Sequence, residues 1–172
     1  MLTWIKKQKW RSHLSSVIVF LVIASGITWY QQRDMASQHA LPLQTHSVQG
    51  QHFNLAALAK DKPVMLYFWG SWCGICDITS PWVNTLSQKN SDYEIITIAL
   101  KSGNNSEVTS YLNQQGYTFK TINDPNGYIS QQWGVNVTPS IAYISPGGEI
   151  SSLSTGLTSR WGMQLRLWWA GF

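Results

Sequence analysis

The sequence predicts an α/β domain in three layers, with helices on both faces of a central sheet. Three observations carry that expectation. Apolar runs of strand length alternate with helix-length segments from Val64 to Trp133. Two further strand-length runs flank Pro146-Gly147-Gly148, a turn that closes a terminal hairpin. Val64-Met65-Leu66-Tyr67-Phe68-Trp69 is apolar throughout, as expected of a strand buried on both faces.

The chain begins with a basic segment, residues 1–13, that carries Lys6, Lys7, Lys9 and Arg11. Residues 14–30 follow without a charge, and Trp10 and Trp29 stand about 28 Å of helix apart, close to the thickness of a hydrocarbon core. This pattern predicts a transmembrane anchor with its N-terminus in the cytoplasm and the rest outside. Ala24-Ser25-Gly26 also fits a cleavage site, so a removed signal peptide is the competing expectation. Either way the remainder lies in a disulfide-permissive, extracytoplasmic space. Residues 31–43 are polar and non-periodic and read as a tether, and residues 44–172 read as one domain. The net charge of +4 belongs to the topology signal, because from Met35 onward seven Lys/Arg balance seven Asp/Glu. Nucleic acid is therefore not an expected partner.

Within the domain, Val48 to Phe53 reads as a small hairpin with a glycine turn, and Leu55 to Leu58 as a short helical turn. After the Val64–Trp69 strand, a helix runs from Cys73 towards Lys89, with Pro81 predicting a kink. Tyr93 to Leu100 is a second central strand. Glu107 to Gln115 is a helix closed by Gly116, and Tyr117 to Ile122 a third strand. Asn123 to Gly127 makes a turn. Tyr128 to Trp133 is a short helix, Ser140 to Ser145 and Glu149 to Ser154 form the hairpin, and Ser159 to Trp169 is a terminal helix.

Chemistry concentrates at Trp72-Cys73-Gly74-Ile75-Cys76, behind the first central strand. Active sites of open parallel sheets form beyond the carboxyl ends of their strands. Two thiols at this spacing can close and reopen a small disulfide, and a thiol at a helix N-terminus meets unpaired N–H groups that favour the attacking thiolate. Zinc needs four ligands, and His13, His39, His46 and His52 read as surface or tether residues, so no metal or cofactor is expected. Cu(I) binding by the two thiolates and a purely structural disulfide are the other readings. A second loaded segment, Val137-Thr138-Pro139-Ser140, reads either as ordinary strand-entry punctuation or as a cis-proline loop facing the dithiol.

W-C-x-x-C after an apolar strand, Pro81 eight residues beyond Cys73, and Val137-Thr138-Pro139 further on resemble the thioredoxin superfamily. The segment Glu107 to Gly127, with Asp124-Pro125-Asn126-Gly127 before Trp133-Gly134-Val135, is similar to the helix and strand inserted in its TlpA-like branch. The anchored layout and the Trp161–Trp169 end look most like the group named for suppression of copper sensitivity. The resemblance implies a three-layer sandwich with a central mixed sheet. It implies that Cys73 attacks, that Cys76 resolves, that Pro139 is cis, that Thr138 offers its backbone to substrate and that Trp72 shields the dithiol. Three positions depart from the family. Tyr67 stands where thioredoxins have a buried Asp, Thr79 where many TlpA-like reductases have a Glu, and Ile75 where thioredoxin has proline. Asp77 adds a negative charge that opposes thiolate formation unless it faces water.

The expected protein is a thiol–disulfide oxidoreductase held in a bacterial inner membrane by residues 14–30, with its catalytic domain in the periplasm. It reduces disulfide-bearing protein substrates and receives electrons from a transmembrane thiol donor, with a role in copper tolerance. A disulfide oxidase or isomerase, and a Cu(I)-binding protein, are the rivals. Trp161, Leu165, Trp168 and Trp169 lie at helical spacing and read as a face docking on the sheet, or as contact with the bilayer.

Overall fold

The computed structural model describes residues 15–27, 29–30, 39–89 and 92–172. The basic segment, Leu14, Thr28 and most of the tether lie outside the described residues. Residues 15–27 form a helix, α1, whose side chains from Val17 to Ile23 stand exposed. Among the described residues no helix is long and apolar enough to cross a membrane, so the span expected over 14–30 is not seen as a unit.

The domain opens with a two-stranded sheet, β1 (Gln44–His46) and β2 (His52–Asn54), joined by a turn in which Gly50 takes φ +80°. α2 (Leu55–Leu58) follows, capped by the Asn54 side chain, which accepts the Ala57 N–H at 3.2 Å. The central sheet then comprises β3 (Val64–Trp69), β4 (Glu94–Leu100), β5 (Lys120–Asp124), β6 (Ser140–Ile144) and β7 (Ile150–Thr155). Its order is β5-β4-β3-β6-β7. β4 runs parallel to β3 and β5, whereas β6 is antiparallel to β3 and β7, so the sheet is mixed as expected.

β3 shows why its sequence has no polar face. Met65, Tyr67 and Trp69 point into one core, which they share with Val83 and Leu86 of α3 (Gly74–Ser87), Val108 and Leu112 of α4 (Asn105–Gln115), and Met163 and Leu167 of α6 (Arg160–Ala170). Val64, Leu66 and Phe68 point into the other, with Phe53, Leu55 and Trp133, the residue that caps α5 (Tyr128–Gln132). A strand alternates its side chains between faces, so a strand inside three layers has two apolar faces.

Among the boundaries that differ from expectation, three have a clear physical reason. α4 begins at Asn105 rather than Glu107, because Asn104 and Glu107 form a reciprocal capping box: the Asn104 side chain accepts the Glu107 N–H at 3.0 Å, and the Glu107 carboxylate accepts the Asn104 N–H at 2.7 Å. β5 begins at Lys120 rather than Tyr117, because Tyr117 and Phe119 stack on each other and edge against Tyr111 and Trp69 instead of entering the ladder. Residues 39–43, read as tether, belong to the packed unit. His39 bridges to Glu149, the Ala40 N–H donates to Gly148 O at 2.8 Å, and Leu43 is buried.

Candidate active site

β3 ends at Trp69, and the chain turns over Gly70 and Ser71 to reach Cys73, the N-cap of α3. That turn is held from below by the end of β4. The Ser71 N–H donates to Ser102 Oγ at 2.9 Å, Ser102 Oγ donates to Leu100 O at 3.1 Å, and the Trp72 indole N–H donates to the same carbonyl at 3.1 Å. Trp72 lies across Gly70 so closely that a Cβ there would sit 2.6 Å from its Cε2 and 2.7 Å from its Nε1. Glycine at 70 is a demand of space, and the ring above it stays largely exposed beside the dithiol.

Cys73 and Cys76 are joined as a disulfide with Cα atoms 5.2 Å apart. The Cys76 N–H donates to Cys73 Sγ at 3.2 Å, so the first sulfur sits against the positive end of the α3 dipole. Cys73 keeps 7 % of its surface exposed and Cys76 only 1 %, so an incoming disulfide meets the first sulfur and not the second. A thiol at such a helix end is stabilised as thiolate, and a buried neighbour three residues on is poised to displace whatever bonds to it.

Two of the three positions that depart from the family, Tyr67 and Thr79, make neutral contacts. Tyr67 is fully buried, and its hydroxyl shares a hydrogen bond of 3.0 Å with Ser80 Oγ. Burial holds that hydroxyl far above the usual tyrosine range, so it remains protonated and cannot serve as a base. The Thr79 hydroxyl turns back to donate to Ile75 O at 3.1 Å. Asp77 faces outward and accepts the Tyr111 hydroxyl at 3.0 Å, which ties α4 to the first turn of α3. Burial, and next the Asp77 carboxylate, push the Tyr111 hydroxyl up. Ser80, Gly70, Ser102 and Tyr111 also shape the site, and no pattern along the chain singles them out. Ser80, Ser102 and Tyr111 act across tertiary contacts, and Gly70 acts through the turn on Trp72.

The Thr138–Pro139 peptide is cis. Antiparallel pairing sets Phe68 opposite Ser140, so β6 enters the sheet where β3 leaves it, and Pro139 lies at the end of the sheet that carries Cys73. Pro139 O accepts the Gly156 N–H at 2.8 Å, and Ser140 Oγ donates to Val137 O at 2.7 Å, which fixes the loop on both sides of Thr138. No main-chain hydrogen bond engages Thr138 itself among the described residues. His46 and His52 stand six positions apart and pair edge-to-face across the β1–β2 hairpin with centroids 5.3 Å apart. Among the described residues no third His, Cys, Asp or Glu joins a group able to hold a metal ion.

Comparisons with known proteins agree with this geometry. The Redoxin family model matches residues 28–160. A "Thioredoxin-like protein" of Haemophilus influenzae is 39% identical over 166 residues, covering 96% of this chain and 97% of its own. "Thiol-disulfide oxidoreductase ResA" of Oceanobacillus iheyensis is 26% identical over 148 residues, covering 83% and 76%. The crystal structure of a putative thiol:disulfide interchange protein DsbE from Chlorobium tepidum superposes with a TM-score of 0.69 at 22% identity, covering 80% of this chain and 97% of that one. At that identity the superposition speaks for the fold, which is thioredoxin-like. The family match spans most of the domain and both cysteines, and on that ground the chain belongs to the Redoxin family.

Proposed function

We propose that this protein is a membrane-tethered, periplasmic thiol–disulfide reductase of disulfide-bearing proteins. The observation that carries the reading is the asymmetry of the dithiol: Cys73 caps α3 and keeps a small exposed edge of 7 %, whereas Cys76 is buried at 1 %. In the reduced protein, Cys73 Sγ attacks one sulfur of a substrate disulfide. A mixed disulfide forms and the other substrate sulfur leaves as a thiolate. Cys76 Sγ then attacks Cys73 Sγ, the Cys73–Cys76 bond forms and the second substrate thiolate departs. Two electrons pass from the dithiol to the substrate. A transmembrane thiol donor of the inner membrane returns them. Thr138 offers an unengaged main chain to an extended substrate segment beside Pro139, and Trp72 covers the flank of the sulfur pair.

Residues 14–30 anchor the chain with its N-terminus in the cytoplasm, and residues 39–172 form the catalytic domain. The basic segment and the charge-free apolar stretch support that layout. A role in copper tolerance follows if the reductase repairs disulfides that copper creates, in line with the group the sequence resembles most.

The deciding experiment is the reduction potential of the full chain, followed by tryptophan fluorescence during equilibration with glutathione. Thioredoxin lies at about −270 mV and the strong periplasmic oxidant DsbA at about −120 mV. A value near the first identifies a reductase that must be supplied with electrons. A value near the second reverses the direction of flow and makes the protein a disulfide oxidase.

A further inference from the structure

α6 is apolar on two opposite sides. Met163, Leu167 and Ala170 are buried against the sheet. Trp161, Leu165 and Trp168 are spaced i, i+4, i+7 on the other side, within about 60° of one another, with Trp169 alongside. Phe172 continues the stripe, packing edge-to-face on Trp168 with centroids 4.7 Å apart. These five side chains are between 58% and 91% exposed. The helix carries no acidic residue, only Arg160 and Arg166. An ordinary amphipathic helix leaves one side polar.

The position of the stripe identifies its partner. Trp168 and Phe172 line a cavity of about 500 Å³ with Pro63, Tyr93 and Pro146. Pro63 and Tyr93 directly precede β3 and β4, and Pro146 follows β6, so this is the end of the sheet opposite Cys73. The N-terminal segment joins the domain there too. Ala40 donates to Gly148 O and His39 bridges to Glu149, in the same Ser145–Glu149 turn that presents Pro146. From Tyr30 to His39 the chain can reach at most about 30 Å, less than the roughly 36 Å diameter of a domain of this length. An anchor ending at Tyr30 therefore keeps this end of the domain within about 30 Å of the lipid, too near for the whole domain to fit between them. Tryptophan is the side chain that favours the membrane–water interface, with its ring in the acyl boundary and its N–H at the headgroups.

We propose that the aromatic stripe of α6 and Phe172 rests in the bilayer interface and orients the domain so that Cys73 faces away from the membrane. The proposal rests on the reading of residues 14–30 as an anchor. Asp61 and Asp92 border the same cavity, so the contact is apolar and not driven by anionic headgroups.

The test uses the full chain labelled with 5-fluorotryptophan, in nanodiscs of phosphatidylethanolamine and phosphatidylglycerol at three to one, with and without a spin label at the lipid headgroup. Single Trp→Phe substitutions assign the fluorine resonances. Resonances of Trp161, Trp168 and Trp169 are expected to broaden at least threefold more than those of Trp72 and Trp133, with little change at higher salt. Broadening of Trp29 alone would overturn the proposal while the anchor stands. Broadening of the α6 rings without Trp29 would support the interface contact and sink the anchor. No broadening at any of the four would end both. Shielding of the α6 rings that grows with protein concentration, without lipid broadening, would assign the stripe to a second copy of this chain and overturn the proposal.

Discussion

Replacing Gly70 by alanine tests how the dithiol loop is held. The new Cβ would lie 2.6 Å from Trp72 Cε2 and 2.7 Å from Nε1, about 1 Å inside an ordinary carbon contact. Gly70 has no left-handed φ, so its backbone accepts alanine and only the indole must yield. Shifting the ring by about 1 Å carries its N–H, now 3.1 Å from Leu100 O, beyond hydrogen-bond range. The bond and the ring contact together are worth about 1 kcal/mol, at the modest end because the displaced N–H finds water. Alanine also restricts the unfolded chain, which stabilises by about 0.4–1 kcal/mol. The two effects nearly cancel in the single variant, so the coupling is the informative quantity. Gly70→Ala is expected to be neutral or slightly destabilising in the parent and stabilising in a Trp72→Ala background, with a coupling of about 1 kcal/mol. Urea unfolding of the four oxidised proteins measures it. A coupling within about 0.3 kcal/mol of zero would show that the ring does not lean on Gly70.

Other outcomes follow from features described above. Cys76→Ser should accumulate a mixed disulfide between Cys73 and substrate, visible as a gel shift abolished by dithiothreitol, whereas Cys73→Ser should form none. Asp124 is buried, and its carboxylate accepts the Ile129 N–H at 3.2 Å and the Ser130 N–H at 2.8 Å. Asp124→Ala should therefore cost about 1–3 kcal/mol in chemical denaturation. Burial pushes the Tyr143 hydroxyl up to about 12. The folded state keeps that proton after the unfolded chain has lost it, so stability should be flat below pH 10 and fall between 10 and about 12. Its share is roughly 2–3 kcal/mol. Tyr143→Phe should make the alkaline fall shallower, as followed by circular dichroism, and an unchanged slope would refute the assignment.

The parts of the fold that were legible are those in which local pattern and tertiary demand coincide. β3 could be read because an all-apolar run has few other uses, and the dithiol because its spacing carries the chemistry. The start of β5 was not legible, since Tyr117 and Phe119 have strand propensity yet are drawn into an aromatic stack. The start of α4 carries a local signal, Asn104 with Glu107, that hydrophobic periodicity alone passes over. The Tyr67–Ser80 bond joins residues thirteen positions apart and has no signature along the chain. Pro139 could be seen as a proline before a strand, but its place at the dithiol end of the sheet depends on the antiparallel register of β6 against β3.

The aromatic stack around α4 changes how the excursion between β4 and β5 should be regarded. Trp69, the last residue of β3, stacks on Tyr111 at 5.4 Å and meets Phe119 edge-on at 6.0 Å, and its indole N–H donates to Thr97 Oγ1 at 3.1 Å. A decoration could be pruned to leave a leaner scaffold. Here pruning would strip the cover from a fully buried tryptophan three residues before Trp72 and free the Asp77 carboxylate next to Cys76. The excursion and the sulfur pair therefore form one mechanical unit, and a minimal version of this protein must keep both or rebuild the wall that Tyr111 and Phe119 provide.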